Sequence, residues 1–166
     1  MPLSAIDPQH YGALLDAKAK AVSALLAPFE PPKAQIVPST PEAYRMRAEF
    51  RVWHEGSALD YVMFRRGEPK TPIPITVFPI ACPAIQQLMP LLLAQLQSNE
   101  CLRSRLFQVE FLTTLSGEML VTLIYHRKLD EDWEREATLL GSQLEIFIVG
   151  RSRKQKIIVG QDYVTE

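Results

Sequence analysis

Apolar residues recur at helical spacing over residues 11–29, and this pattern predicts an N-terminal helix. Asp7-Pro8 predicts where the helix begins, because aspartate caps a first turn and proline leaves no N–H unpaired there. Pro28 and the prolines that follow it end the helix. We expect an amphipathic helix that packs on the rest of the chain; the alternative is a helix that binds a partner.

From Tyr44 the apolar period changes to two, which is typical of a strand with one buried face. The predicted buried face carries Met46, Ala48, Phe50 and Val52. Gly56 marks a turn, and residues 59–65 form the expected returning strand. A weaker strand is expected over 73–77, where Pro74 interrupts the pattern.

A second helix is predicted from Cys82-Pro83, with one apolar stripe made of Ile85, Leu88, Met89, Leu92 and Leu96. Pro90 lies inside this pattern, so we expect a kink or a break there. Two strands are predicted to follow, over residues 106–115 and 119–127.

These two strands meet at Ser116-Gly117, which predicts a two-residue hairpin turn. Pairing outward from this turn puts Leu115 opposite Glu118 and Phe107 directly opposite His126. Directly opposed side chains lie about 5 Å apart at Cβ, so the two rings are expected side by side at the open end of the hairpin. The alternative is a core phenylalanine with a hydrogen-bonded histidine.

Three acids at residues 130–132 predict the N-terminus of a third helix, where the helix dipole favours negative charge. Its apolar stripe is predicted to carry Trp133, Ala137 and Leu140, and Gly141 is expected to end it. Strands are predicted over 144–149 and 156–159, separated by a basic loop. This element order predicts an α+β fold: a mostly antiparallel sheet built from hairpins, with three main helices.

Composition excludes several classes of protein but does not identify one. The formal net charge is −1, so any basic surface has to be local. Cys82 and Cys101 lie far apart without metal-ligand spacing, which predicts neither a disulfide nor a metal site and favours a reducing cytoplasm. We expect no membrane partner, because no apolar run approaches the roughly 20 residues that cross a bilayer.

Candidate chemistry favours binding over catalysis, because no phosphate loop, HExxH or GxSxG motif is present. Arg45, Arg47 and Arg51 are predicted on one strand face that ends at Trp53, which combines charge with a stacking surface for RNA. The alternative is a solvated strand face. Further phosphate contacts are expected from basic residues near the hairpin mouth and in the last hairpin loop, namely Arg127, Lys128, Arg151, Arg153, Lys154 and Lys156.

Four stretches resemble the bacterial TrmA family of tRNA (uracil-5-)-methyltransferases. They are Tyr-Arg-Met-Arg-Ala-Glu-Phe-Arg-Val-Trp-His (44–54), Leu-Phe-Gln-Val-Glu-Phe-Leu-Thr-Thr-Leu-Ser (106–116), Tyr-His-Arg-Lys-Leu-Asp (125–130) and Ile-Val-Gly-Arg-Ser-Arg-Lys (148–154). The resemblance implies methyl transfer from S-adenosylmethionine to C5 of the T-loop uridine of tRNA, position 54. It also implies that Arg51, Phe107 and His126 help to hold and reshape the T loop.

The same resemblance implies a division of the chain. Residues 1–32 form the N-terminal helix and 33–166 an RNA-binding α+β region. The catalytic cysteine, the base and the S-adenosylmethionine-binding Rossmann-like domain are expected after residue 166, so the chain alone is expected to be inactive. The expected partner is the tRNA T arm, with other RNAs that carry a T-like loop as further candidates. Two alternatives stay open: a stand-alone RNA-binding module and a protein-interaction domain.

Overall fold

The computed structural model describes residues 6–166. The helices are α1 (Tyr11–Leu26, flanked by 3-10 turns at Pro8–His10 and Ala27–Phe29), α2 (Pro83–Ser98), α3 (Glu100–Arg103) and α4 (Glu131–Leu144). The strands are β1 (Arg47–Glu55), β2 (Ala58–Met63), β3 (Ile73–Pro74), β4 (Leu106–Thr113), β5 (Met119–Tyr125), β6 (Phe147–Ser152) and β7 (Gln155–Val159).

The strands form one seven-stranded sheet in the order β3-β2-β1-β4-β5-β6-β7. Neighbouring strands are antiparallel except β5 and β6, which are parallel and are joined through α4. The predicted α+β fold, with a mostly antiparallel sheet and three main helices, is therefore confirmed. The candidate binding residues between Arg47 and Lys156 lie in the strands of this sheet or in the segments that directly follow β5 and β6.

The core lies between one face of the sheet and the helices α2 and α4. The alternation predicted for β1 is confirmed, because Ala48, Phe50 and Val52 are buried while the intervening side chains are exposed. The Phe50 ring meets Phe78 edge to face at 5.0 Å between centroids, a favourable aromatic geometry. The other face of β1 is thereby left to solvent.

Helix α2 buries the whole predicted stripe, from Ile85 to Leu96. Of the kink or break expected at Pro90, the break does not occur, because the helix runs without interruption from Pro83 to Ser98. Pro90 itself is exposed, while Met89 and Leu92 on either side of it are buried. Burial on both sides of the proline holds the helix together despite the missing backbone hydrogen bond.

Helix α4 begins as predicted and ends later than predicted. The Asp130 carboxylate accepts the Trp133 backbone N–H at 3.0 Å and caps the first turn. Gly141 does not end the helix, which continues to Leu144 and is closed by Glu145 at φ 54°. A Cβ on Gly141 would lie 3.0 Å from the Ile146 carbonyl oxygen, so this glycine permits close packing instead of a helix stop.

Helix α1 does not pack on the sheet, contrary to our expectation. It contains no buried residue, and the apolar side chains of Leu25 (73% exposed) and, in the 3-10 turn after it, Phe29 (77%) face solvent. Its contacts are with the segment after it, where the Tyr11 hydroxyl accepts the Ser39 backbone N–H at 2.8 Å. An amphipathic pattern shows that a helix has an apolar face, but it does not show what covers that face.

Candidate nucleic-acid interface

The β4–β5 hairpin has a longer loop than the sequence predicts. The last pair is Thr113 with Met119, so five residues (114–118) form the loop in place of a two-residue turn. The Glu118 carbonyl accepts both the Thr113 hydroxyl at 2.8 Å and the Thr114 N–H at 3.2 Å, which closes the loop. The predicted pairing is therefore wrong, because the observed register is shifted by one residue. Leu115 does not pair with Glu118, and Phe107 does not pair with His126.

A β-bulge at the other end of the hairpin changes the face of the sheet to which Phe107 points. Leu106 pairs with Tyr125 and Gln108 with Ile124, so Phe107 is an extra residue in β4. Leu106 is buried in the core, whereas Phe107 and Gln108 are both partly exposed. The bulge thus turns an aromatic residue away from the core and toward the outer face of the sheet.

Phe107 lies in a three-layer stack. Its ring is 3.9 Å from that of His126, with an angle of 27° between the planes, and the Arg51 Cζ lies 3.8 Å above its centroid. Two groups at such distances cannot share one face of a ring without overlapping, so Arg51 and His126 cover opposite faces. The prediction that the Phe107 and His126 rings lie side by side is confirmed. Their contact arises from the bulge and not from a direct cross-strand pair.

An open groove of about 740 Å³ lies beside His126, where β5 and β6 end. Its lining contains five basic side chains and no acidic one: His126, Arg127, Lys128, Arg151 and Arg153. The lining also includes the apolar side chain of Ile124. Positive charge beside apolar surface can hold a phosphate backbone and a base at the same time.

The basic residues Arg151, Arg153, Lys154 and Lys156 do not all lie in one hairpin loop, contrary to the prediction from the sequence. Arg151 and Lys156 are paired strand residues of β6 and β7, and only Arg153 and Lys154 form the turn. Lys156 also bonds to the Asp162 carboxylate, which offsets its charge. Arg151 lies in one row across the sheet with Ile124, Gln108 and Arg51, three strands or about 15 Å from Arg51.

The remaining arginines of the first strand lie apart from the stack. Arg47 is four residues, or about 13 Å, along β1 from Arg51, and pairs with Glu49 at 3.2 Å and Glu110 at 3.5 Å. Arg45 precedes β1 and forms a backbone bridge to Ala81. Trp53 is on the same face as Arg51 and is 41% exposed.

Two residues have roles that sequence reasoning missed. Arg127 was predicted to contact phosphate, but its guanidinium donates to the carbonyls of Cys101 at 2.6 Å, Ser104 at 3.0 Å and Lys128 at 2.9 Å. His54 Nε2 bonds to the Leu106 carbonyl at 2.7 Å, directly before the bulge. Apart from the bond to Lys128, these bonds join residues distant in sequence, so no local pattern indicates them.

The groups in residues 6–166 that could serve catalysis or metal binding are the cysteine, histidine and acidic side chains. Cys82 and Cys101 are both free, and burial raises the pKa of the Cys101 thiol although Arg127 opposes this effect. Within those residues no cluster of three or more histidine, cysteine or acidic side chains has the arrangement of a metal site. None of the helices in the described part of the chain has the length and hydropathy needed to cross a membrane.

The fold is an α+β module that carries a basic groove beside a stack of Arg51, Phe107 and His126. The sequence model of the family described as tRNA (uracil-5-)-methyltransferase matches residues 10–166. The chain belongs to this family.

Three curated relatives are each described as a tRNA/tmRNA (uracil-C(5))-methyltransferase. The relative from Aromatoleum aromaticum is 50% identical over the whole chain, which covers 45% of that protein. The relative from Stutzerimonas stutzeri is 51% identical over the whole chain, covering 46% of it. The relative from Acinetobacter baumannii is 51% identical over 94% of the chain and 44% of its own length. The chain thus spans less than half the length of the relatives it matches.

Proposed function

We propose that this chain is the tRNA-recognition region of an S-adenosylmethionine-dependent methyltransferase that modifies C5 of the T-loop uridine, position 54. The stack of Arg51, Phe107 and His126 beside the basic groove carries this proposal. Family membership supplies the class of reaction. The relatives' names support RNA of the tRNA and tmRNA type as the partner, so other RNAs with a T-like loop are included. Such an enzyme is proposed to act in the cytoplasm.

Stacking chemistry supports recognition of an opened RNA loop. Taking a base out of a folded loop costs a few kcal/mol, and an aromatic side chain that stacks on a base returns about 1–3 kcal/mol. Both faces of Phe107 are covered by protein groups, so a base can join the column in two ways. It can stack on the outer face of His126, or it can replace Arg51 while that guanidinium moves to a phosphate.

We propose that S-adenosylmethionine binds, and that methyl transfer takes place, outside residues 6–166. The βαβ unit formed by β5, α4 and β6 is where a nucleotide-like cofactor would be sought. Its first connection, residues 126–130, contains no glycine to let a backbone approach a ligand closely, and its cap Asp130 already binds Trp133. These residues do not fit the cofactor, so the chain alone is proposed to be inactive.

Binding of a T-arm hairpin RNA to the 166-residue chain tests the recognition role. We expect fluorescence anisotropy to show binding that weakens with salt and is lost when the T loop is exchanged for a stable tetraloop on the same stem. Equal binding to both hairpins would contradict loop recognition and favour a stand-alone, unspecific RNA-binding module. The absence of any salt-dependent binding would favour a protein-interaction domain.

A methyl-transfer assay tests whether catalysis requires sequence beyond residue 166. The reading frame extended downstream of Glu166 is expected to transfer a labelled methyl group to a T-arm RNA, and the 166-residue chain is expected to transfer none. Activity of the short chain, or an extended frame that binds no S-adenosylmethionine, would overturn the proposal.

A further inference from the structure

The backbone that leads into Phe107 is held by hydrogen bonds from the end of β5, from the two residues after it and from β1. Between residues 101 and 106, five carbonyls accept donors from residues 125–127 or from His54. The bonds run from Arg127 to the carbonyls of Cys101 and Ser104, from the Tyr125 hydroxyl to Leu102, from the His126 N–H to Arg105, and from His54 to Leu106. The segment that carries one ring of the stack is therefore tied to the segment that carries the other.

Arg127 has the largest part in this arrangement. Its side chain is only 19% exposed, although it lines a basic groove. Three of the five N–H donors of a guanidinium are directed at carbonyls here, two of them near the C-terminal end of α3. Cationic donors are favoured at that end of a helix, where carbonyls lack partners.

The local backbone needs such support. Arg105 has φ 55°, in the left-handed region that costs a non-glycine residue energy. The bulge at Phe107 follows directly and interrupts the strand ladder. The paired part of β1 and β4 stops at Arg51 with Gln108, so no backbone partner in β1 holds this end of β4.

From this geometry we infer that Arg127 is a positioning residue: it fixes the Phe107 ring against the His126 ring in the free protein and does not bind phosphate. This role deepens the proposed function. Of the two tests below, only the RNA-binding measurements rest on the proposed function. His54 supports the same bulge from the other side through Leu106. The stack is thus set before RNA arrives, which spares the binding step the cost of ordering two side chains.

NMR of the free chain tests the positioning role without RNA. The His126 ring protons are expected to be shifted upfield by the Phe107 ring, and Phe107→Leu removes this shift and calibrates it. Arg127→Lys keeps the charge but not the planar three-carbonyl geometry, so it is expected to lose most of the shift. Retention of the full shift in Arg127→Lys would overturn the inference. Amide signals of β1 and β2 serve to show that the variant is folded.

The salt dependence of T-arm RNA binding separates positioning from phosphate contact. For Arg127→Lys we expect a loss of affinity approaching that of Phe107→Leu, with the slope of log affinity against log salt unchanged. Arg151→Gln is the control for a phosphate contact and is expected to lower the slope by about 0.7–0.9. Wild-type affinity in Arg127→Lys, together with a lowered slope in Arg127→Gln, would show a phosphate contact instead. If the wild-type chain does not bind the hairpin, the proposed function fails, and the NMR result still decides the positioning role.

Discussion

At the scale of single residues, the site depends on one side chain that faces the opposite way from the strand pattern around it. Val109 and Phe111 point into the core, and an unbroken β4 would send Phe107 there as well. The bulge moves Phe107 to the outer face, where Arg51 and His126 cover it. The aromatic ring is thereby partly shielded from solvent on the outer face of the sheet.

Arg51→Gln is expected to weaken T-arm RNA binding most at low salt. The substitution removes a positive charge that has no ion-pair partner among the described residues, together with its contact over Phe107. Anisotropy titrations at several salt concentrations measure the effect, and Arg47→Gln is the matched control because Arg47 is already paired with two acids. A loss that is the same at every salt concentration would rule out a phosphate contact for Arg51.

Phe107→Leu is expected to weaken T-arm binding by an amount that salt does not change. Leucine keeps the apolar volume but removes the flat ring, and the loss of one stacking partner costs about 1–3 kcal/mol, or roughly 5- to 150-fold in affinity. Leu112→Ala, at an exposed position of the same strand, is the control. In the extended, methylating frame the same substitution is expected to leave S-adenosylmethionine binding intact. Unchanged tRNA kinetics would contradict the role of Phe107.

At the scale of secondary-structure elements, the sequence predicted most where apolar residues repeat regularly. The stripe of α2 and the alternation of β1 could be read directly, because one period determines which side chains are buried. The loop of residues 114–118 could not, because Ser116-Gly117 fits a two-residue turn locally while Thr113 and Thr114 bond to Glu118. A bulge and a five-residue loop are settled by contacts across the sheet, which one strand's pattern does not contain.

Gly150→Ala is expected to destabilise the packing of α4 on β6. The Trp133 ring lies directly over this glycine, and an added Cβ would come within 2.2 Å of its Cη2 atom. Because Trp133 is fully buried, it has little room to move, and overpacking of this kind typically costs about 1–3 kcal/mol. Urea unfolding of the chain measures the effect.

Gly12→Ala is the matched control for this substitution. Nothing lies within 4 Å of the added Cβ, and alanine is favoured over glycine in a helix by about 1 kcal/mol. This variant is therefore expected to be as stable as the wild type or slightly more stable. If Gly150→Ala behaved in the same way, the close contact with Trp133 would not constrain the fold.

At the scale of the whole molecule, the two faces of the sheet have different tasks. The inner face is covered by α2 and α4 and contains the aromatic core around Phe50 and Trp133. The outer face carries one row of residues that runs from Arg51, in the stack, to Arg151, in the lining of the groove. The sequence indicated both sets of residues. Which of the outer residues lie next to one another depends on the strand order, which places β5 beside β6 although α4 lies between them in the chain.

Removal of residues 1–30 is expected to leave the free energy of unfolding of the sheet nearly unchanged. Helix α1 contributes no buried residue, and its main contacts are with its own flanks and the segment that follows it. Burial of apolar area is what stabilises a helix in a fold, and α1 buries little of it. Leu92→Ala in α2 is the control, because a fully buried leucine typically costs about 2–5 kcal/mol when truncated. Chemical denaturation followed by tryptophan fluorescence reports on Trp133 inside the core. A loss comparable to that of Leu92→Ala would show that α1 packs on the sheet in solution.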